Sequence, residues 1–403
     1  MATGIRDDAA AISEEIASLR HSIHAEPEIG LDLPKTQHKV LSALSGLPLE
    51  ISTGQGLTSV TAVLRGGRPG ATVLLRGDMD ALPVTERTGL PYTSAIQGAM
   101  HACGHDLHTS MLVGAAKVLA ARQAELPGNV IFMFQPGEES VGGARIMIDE
   151  GVLDAAGERP VAAYALHVAS GLLPLGVAAS KAGPVMAAAD KLYVTVRGRG
   201  GHGAQPHRAA DPIPVACEIV TALQTLVTRK FDIFDPVVIT VGTFHSGTVD
   251  NVIPDDAEFV ATVRTFSPGA REAIREATVR LARQIAAAHG LSADVRYEDV
   301  YPVTSNDQAE FDFARRCVGD LFGEHRFLSA PNPITGSEDF SYVLEQVPGA
   351  FMMIGACPPD RDALSAPFNH SAEAVFDDAI ITDGVTIYAE LAQRRLADAA
   401  ATT

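Results

Sequence analysis

The sequence predicts an α/β protein with an α+β domain inserted into it, and two observations carry that reading. Short apolar runs that end abruptly on carboxylates or histidine recur through the first part of the chain. Strands of a central sheet deliver polar groups from their carboxyl ends in this way. Between residues 185 and 298 the order changes to β-α-β-β-α-β, the order of a ferredoxin-like unit. At 403 residues the chain also exceeds the length at which one core usually stops growing. The expected organisation is 1–184 as the first part of the main domain, 185–298 as the insert and 299–403 as the returning part.

Ile12 to Leu19 has the spacing of an amphipathic helix and runs into Arg20-His21-Ser22-Ile23-His24; Thr36 to Leu44 forms a second helix. Thr58 to Leu64 and Ala71 to Leu75 are β-rich, and the second run ends at Arg76-Gly77-Asp78-Met79-Asp80. Leu107 to Ala121 is helical, Asn129 to Phe134 is a buried strand ending at Gln135-Pro136-Gly137-Glu138-Glu139, and Gly142 to Glu150 is helical again. Ala162 to Leu166 is a short strand ending at His167. After Lys181-Ala182-Gly183-Pro184 come strands at Lys191–Arg197, Val237–Phe244, Ala257–Phe266 and Ala293–Tyr297, with helices at Pro212–Val227 and Pro268–His289. Helices near Gln308–Leu321 and Ile380–Arg395 return to the main domain.

Hydrophobic residues make up 46% of the chain and charged residues 20%, which excludes a disordered polypeptide. No stretch reaches the roughly 18 consecutive apolar residues that span a bilayer. The N-terminus lacks the basic start and apolar core of a secretory signal, so a cytoplasmic location and no membrane partner are expected. A formal charge of −18 argues against a nucleic-acid partner. Of the scattered cysteines, Cys217, Cys317 and Cys357 read as small buried hydrophobes; only Cys103 sits among chemically active neighbours.

Those neighbours supply candidate metal ligands: Cys103, His105, Glu139, His167 and His370, with Asp78, Asp80 and Glu138 close by. Cys103-x-His105 offers a thiolate and an imidazole on a glycine-containing turn before a helix, and zinc accepts both. In the pair Glu138-Glu139 one carboxylate can bind a metal while the other accepts a proton from water. An isolated cysteine is usually a core residue and a Glu-Glu pair is ordinarily solvated surface. His108, three residues after His105 on the same helix, is expected to cap or support. Spacing alone leaves the cluster open between a metal centre and a set of structural side chains.

The ordered motifs remove much of that ambiguity. Arg20 to His24 through Pro27-Glu28, Gly77-Asp78-Met79-Asp80-Ala81-Leu82-Pro83, His101-Ala102-Cys103-Gly104-His105-Asp106 and Gln135-Pro136-Gly137-Glu138-Glu139 occur in the first part of the chain. Gly200-Gly201-His202-Gly203 through Pro206-His207, Asn251-Val252-Ile253-Pro254, Gly336-Ser337-Glu338-Asp339-Phe340 and Asn369-His370-Ser371 follow in order. Over nearly its full length the chain thereby resembles the peptidase M20 family, in the amidohydrolase branch of hippurate hydrolases, aminoacylases and indole-acetyl-amino-acid hydrolases. The resemblance implies a zinc-peptidase-like catalytic domain with a central mixed sheet flanked by helices, and a ferredoxin-like lid that mediates dimerisation. It implies two divalent metal ions per subunit (zinc, manganese, cobalt or nickel) held by Cys103, His105, Glu139, His167 and His370. Glu138 would be the general base and Asp80 would orient a ligand. His202 would stabilise the oxyanion in the partner subunit's site, while Asn251 and Arg264 would hold substrate. Gly137 stands where alanine is common, a change expected to alter only backbone freedom.

The expected reaction is hydrolysis of the amide bond of an N-acyl amino acid or small peptide by a homodimer, with further pairing into a tetramer left open. The alternatives are a dipeptidase or small-peptide carboxypeptidase, an N-acetyl-diaminopimelate-type deacetylase, and a non-catalytic binding protein retaining the same shell. An acyltransferase using Cys103 as nucleophile is disfavoured, because no nucleophile-elbow context surrounds it.

Overall fold

The computed structural model describes residues 4–139 and 141–401; Met1 to Thr3, from which the N-terminal reading starts, lie outside them, as do Ser140, Thr402 and Thr403. The chain divides into two compact units. The first comprises Met1–Val185, Ser305–Asn332 and Asp339–Thr403; the second comprises Met186–Thr304 and Pro333–Glu338.

The first unit is built on an eight-stranded mixed sheet. Its order is Leu49–Thr53, Val60–Arg65, Pro127–Gln135, Arg68–Asp78, Ala162–Pro174, Gly349–Cys357, Ala178–Ser180 and Phe327–Ser329. The central strands Pro127–Gln135, Arg68–Asp78, Ala162–Pro174 and Gly349–Cys357 run parallel. Parallel strands are covered on both faces, so their sequences read as continuous apolar runs. Val130 to Phe134 and Val73 to Leu75 are accordingly buried without alternation. The helices Ser13–Ala25, His105–Ala121 and Ile380–Ala401 pack together beside this sheet. His105–Ala121 is buried almost all round, which explains its small, apolar composition.

Two of the elements that differ from the sequence expectation bear on the site. The strand expected at Ala162–Leu166 continues to Pro174, which places His167 inside the strand. Its pairing with Arg68–Asp78 stops at Ala165, so the residues beyond are free to turn a side chain toward a site. The strand Gly349–Cys357 was not anticipated. Its run of small residues and methionines carries neither alternation nor β-branched enrichment, although it is the parallel neighbour of the strand bearing His167.

The second unit has a four-stranded antiparallel sheet in the order Val238–Ser246, Asp256–Thr265, Ala188–Arg197 and Ser292–Tyr301. Burial alternates along Asp256–Thr265, and its inward face joins Ile219 and Leu223 of helix Pro212–Lys230 and Ile274 of helix Pro268–Ala288 in a separate core. Both helices start on a capping side chain followed by proline, Asp211-Pro212 and Ser267-Pro268. Among the described residues no helix is long and apolar enough to cross a membrane.

Candidate metal centre

The parallel register sets Asp78 beside Gln135, so the ends of two strands release their polar residues side by side. Asp80, just past one strand, accepts the backbone N–H of Glu138 on Oδ1 and that of Glu139 on Oδ2, both at 3.0 Å. One carboxylate therefore fixes the turn carrying the glutamate pair. Gly137 relaxes this turn: its φ is +74°, and a Cβ there would lie 2.4 Å from Leu31 Cδ2, the end of a side chain that would have to shift. The expectation that glycine changes only backbone freedom is thus too weak, because a left-handed backbone and a neighbouring methyl both oppose a side chain.

Cys103 and His105 flank Gly104, which starts helix His105–Ala121 at φ 83°. A Cβ on Gly104 would fall 2.3 Å from Val168 Cγ2, so helix and strand approach only through glycine. The approach puts Cys103 Sγ 3.4 Å from His167 Nε2. His167 Nδ1 lies 2.9 Å from Val168 O and takes the donor role, leaving Nε2 as a lone-pair donor for a cation. Burial, together with nearby His108, holds the His167 pKa well below its usual value and keeps the ring neutral.

His370 comes from a turn after the last central strand. Its φ is 73°, its N–H donates to Ala102 O at 2.8 Å, and its Nε2 lies 3.2 Å from Glu139 Oε1. Asn369 braces that turn by donating from Nδ2 to Cys103 O at 3.2 Å and Val168 O at 2.9 Å. Cys103 and Glu139 raise the His370 pKa to about 10, the mark of a place that calls for positive charge.

Two ligand sets result. Cys103, His105 and His167 form one, and Cys103, Glu139 and His370 the other; within each, the ligating atoms lie within 4.8 Å of one another. Cys103 is common to both, and Glu138 closes a further set with His105 and Glu139. Both ring nitrogens of His105 and Oε1 of Glu139 are buried without a hydrogen-bond partner. Such atoms cost about 1–3 kcal/mol each unless something meets them. A cation would meet the Glu139 oxygen and one His105 nitrogen. The other nitrogen would face the carboxylate beside it, Asp80 at 3.4 Å from Nδ1 or Asp78 at 3.6 Å from Nε2. The mixed sulfur, nitrogen and oxygen donors fit a borderline divalent metal.

His108, as expected, supports. Its Nδ1 lies 2.5 Å from Asp78 Oδ1 and its Nε2 accepts from Val168 N at 2.7 Å, so both nitrogens are committed. The sequence reading missed what holds Asp78. Arg76 donates to Asp78 Oδ2 at 2.6 Å, to Gln135 Oε1 at 2.9 Å and to Asp339 Oδ1 at 3.0 Å. Burial alone would raise the Asp78 pKa, but Arg76 and the two histidines override it and hold the carboxylate charged. An arginine inside an apolar strand was the available signal.

His202, Asn251 and Arg264 belong to the second unit. His202 is exposed on a two-residue ladder with Val252, and Asn251 O accepts from Gly203 N at 2.8 Å. Arg264 is half-buried and donates to Ser337 Oγ at 3.0 Å.

A family model described as peptidase family M20/M25/M40 matches residues 74–394. The chain is 35% identical over 392 residues to thermostable carboxypeptidase 1 of Saccharolobus solfataricus, covering 96% of this chain and 97% of that one. It is 35% identical over 383 residues to an N-acetylcysteine deacetylase of Bacillus subtilis, covering 95% and 97%. Its fold is similar to a Bacillus subtilis crystal structure described as a dinuclear metal binding peptidase from the M20 family. The TM-score is 0.82 at 32% identity, over 96% of this chain and 99% of that one.

Proposed function

The chain belongs to peptidase family M20/M25/M40, and from that premise we propose that it is a metal-dependent amidohydrolase releasing a free amino acid from its N-acyl derivative. The observation that carries this reading is the cluster in which Cys103 is shared by two ligand sets and Glu138 stands beside them. Cys103, His105, Glu139, His167 and His370 would hold two divalent cations, as the dinuclear structural relative does with its own site. When bound, the cations supply Lewis acidity toward the amide carbonyl and toward water.

Glu138 takes the proton from the attacking water as the new C–O bond forms, then delivers it to the amine nitrogen as the C–N bond breaks. Its backbone is pinned by Asp80, which fixes where the carboxylate points. His202 donates to the developing oxyanion of the partner subunit's substrate, which makes a homodimer part of the reading. Arg264 holds the free carboxylate of the amino-acid half, with Asn251 as a second polar contact. A peptide losing its C-terminal residue is itself an N-acyl amino acid with a peptidyl acyl group. The carboxypeptidase relative therefore favours short peptides as a second substrate class cut by the same chemistry.

Protein stripped with chelator and reloaded with zinc, manganese, cobalt or nickel should hydrolyse members of a panel of N-acyl amino acids and dipeptides. Release of a free amino acid only after reloading supports the reading. Full activity in the stripped protein would sink it.

A further inference from the structure

The Arg20 to His24 motif takes no part in the chemistry above, yet it lies deep in the first unit. Arg20 is fully buried and His24 nearly so. Arg20 Nε donates to Asp106 Oδ2 at 2.7 Å, and His24 Nδ1 reaches the same oxygen at 2.8 Å. Asp106 is itself fully buried in the first turn of helix His105–Ala121, directly after His105. On their other sides Arg20 meets the Tyr92 hydroxyl and Asp378 Oδ1, and His24 Nε2 lies 3.3 Å from Glu86 Oε1. Tyr92 and Glu86 belong to a segment whose ends close on each other through the backbone pair of Leu82 and Met100.

A packing role alone does not account for this cluster. Burying several charges costs free energy that apolar side chains of the same volume would avoid. Arg20 Nη2 and Asp106 Oδ1 are also left without a hydrogen-bond partner, a further cost. The place is informative. The His105 ring lies between two carboxylates, Nδ1 3.4 Å from Asp80 Oδ1 and Nε2 3.6 Å from Asp78 Oδ2, and the backbone that carries the ring sets where it sits between them. Asp106 ties that backbone to helix Ser13–Ala25, on the side away from Asn369, which donates to Cys103 O.

We propose that Arg20 and His24 are positioning residues which, by gripping Asp106, hold the Cys103-Gly104-His105 turn in metal-binding geometry. The inference rests on the reading of Cys103 and His105 as ligands. Partners of ligand-bearing segments commonly act in this way, and losing one weakens metal binding without removing a ligand.

Two substitutions at one position separate the roles. In His24→Asn the amide nitrogen takes the place of Nδ1 and keeps the bond to Asp106. In His24→Gln it takes the place of Nε2, keeping Glu86 and losing Asp106. Manganese or cobalt titrated calorimetrically into stripped protein should bind His24→Asn as it binds wild type, and His24→Gln about 10- to 100-fold more weakly. Asp106→Asn, with its fold checked by circular dichroism, should also bind weakly and serves if His24→Gln fails to fold. Equal affinity in the variants and wild type, or equal loss in both His24 variants, would overturn the proposal. Wild-type protein that takes up no metal would instead overturn the ligand reading beneath it.

Discussion

At the scale of single residues, the site separates groups that hold from groups that react. Glu139 Oε1 lies 3.2 Å from His370 Nε2 within a ligand set, whereas Glu138 follows the left-handed Gly137 and has its backbone N–H held by Asp80. Glu138→Gln should therefore leave metal stoichiometry unchanged while kcat falls about 100- to 10,000-fold, the usual worth of a general base. Metal content measured beside turnover checks this, and loss of both together would reassign Glu138 as a ligand. Gly137→Ala places a Cβ on a backbone at φ +74° and against Leu31, so stability should fall by about 1–2 kcal/mol. Urea unfolding of the variant tests this, and an unchanged midpoint would mean that the turn relaxes freely. Much of this was legible in the sequence, because apolar runs ending on Asp78 and Glu138 mark strand ends. The bracing of Asp78 by Arg76 was signalled only by an arginine in an apolar strand, and the hold of Asp339 on Arg76 was not legible, since 263 residues separate that pair.

At the scale of elements, helix Ser13–Ala25 is tied to its surroundings by charge as well as by packing. Burial opposes a proton on His24, but Asp106 and Glu86 outweigh it and Arg20 only partly offsets them, so its pKa rises to about 9. In the unfolded chain the same group titrates near its ordinary 6.5. A group raised on folding contributes its full stability below the unfolded value and loses it as pH climbs through the folded one. Stability should therefore decline between pH 6.5 and about 9, by no more than about 3 kcal/mol from this group. The slope should flatten in His24→Asn. Chemical denaturation at several pH values measures both slopes, and parallel slopes would remove His24 from the account. The helix itself could be read from apolar spacing, and its Arg20–His24 motif was visible. That the motif closes on Asp106 could not be read, because the register between two helices is set by packing and not by either sequence alone. The strand Gly349–Cys357 was hidden for a different reason: its apolar residues are small or unbranched, and burial on both faces removes alternation.

At the scale of the molecule, the two units have separate hydrophobic cores, and every proposed metal ligand lies in the first. The order of strands and helices in the second unit was readable because its antiparallel strands alternate and its helices begin on Asp211-Pro212 and Ser267-Pro268. The place of His370 was not, since a turn at φ 73° and a brace from Asn369 bring it to Glu139. This division has a thermodynamic consequence. A ligand that binds only the folded state stabilises by about 2.7 kcal/mol at a concentration one hundred times its Kd. The stabilisation belongs to the cooperative unit that must unfold to release it. Hydrogen exchange followed by mass spectrometry, on stripped and metal-loaded protein, should show slower exchange in helix His105–Ala121 and strand Ala162–Pro174. Helix Pro268–Ala288 should exchange at the same rate in both. If protection rose equally in both units, they would unfold as one and metal would stabilise the entire chain. If it rose in neither, the cluster of Cys103, His105, Glu139, His167 and His370 would not be a metal centre.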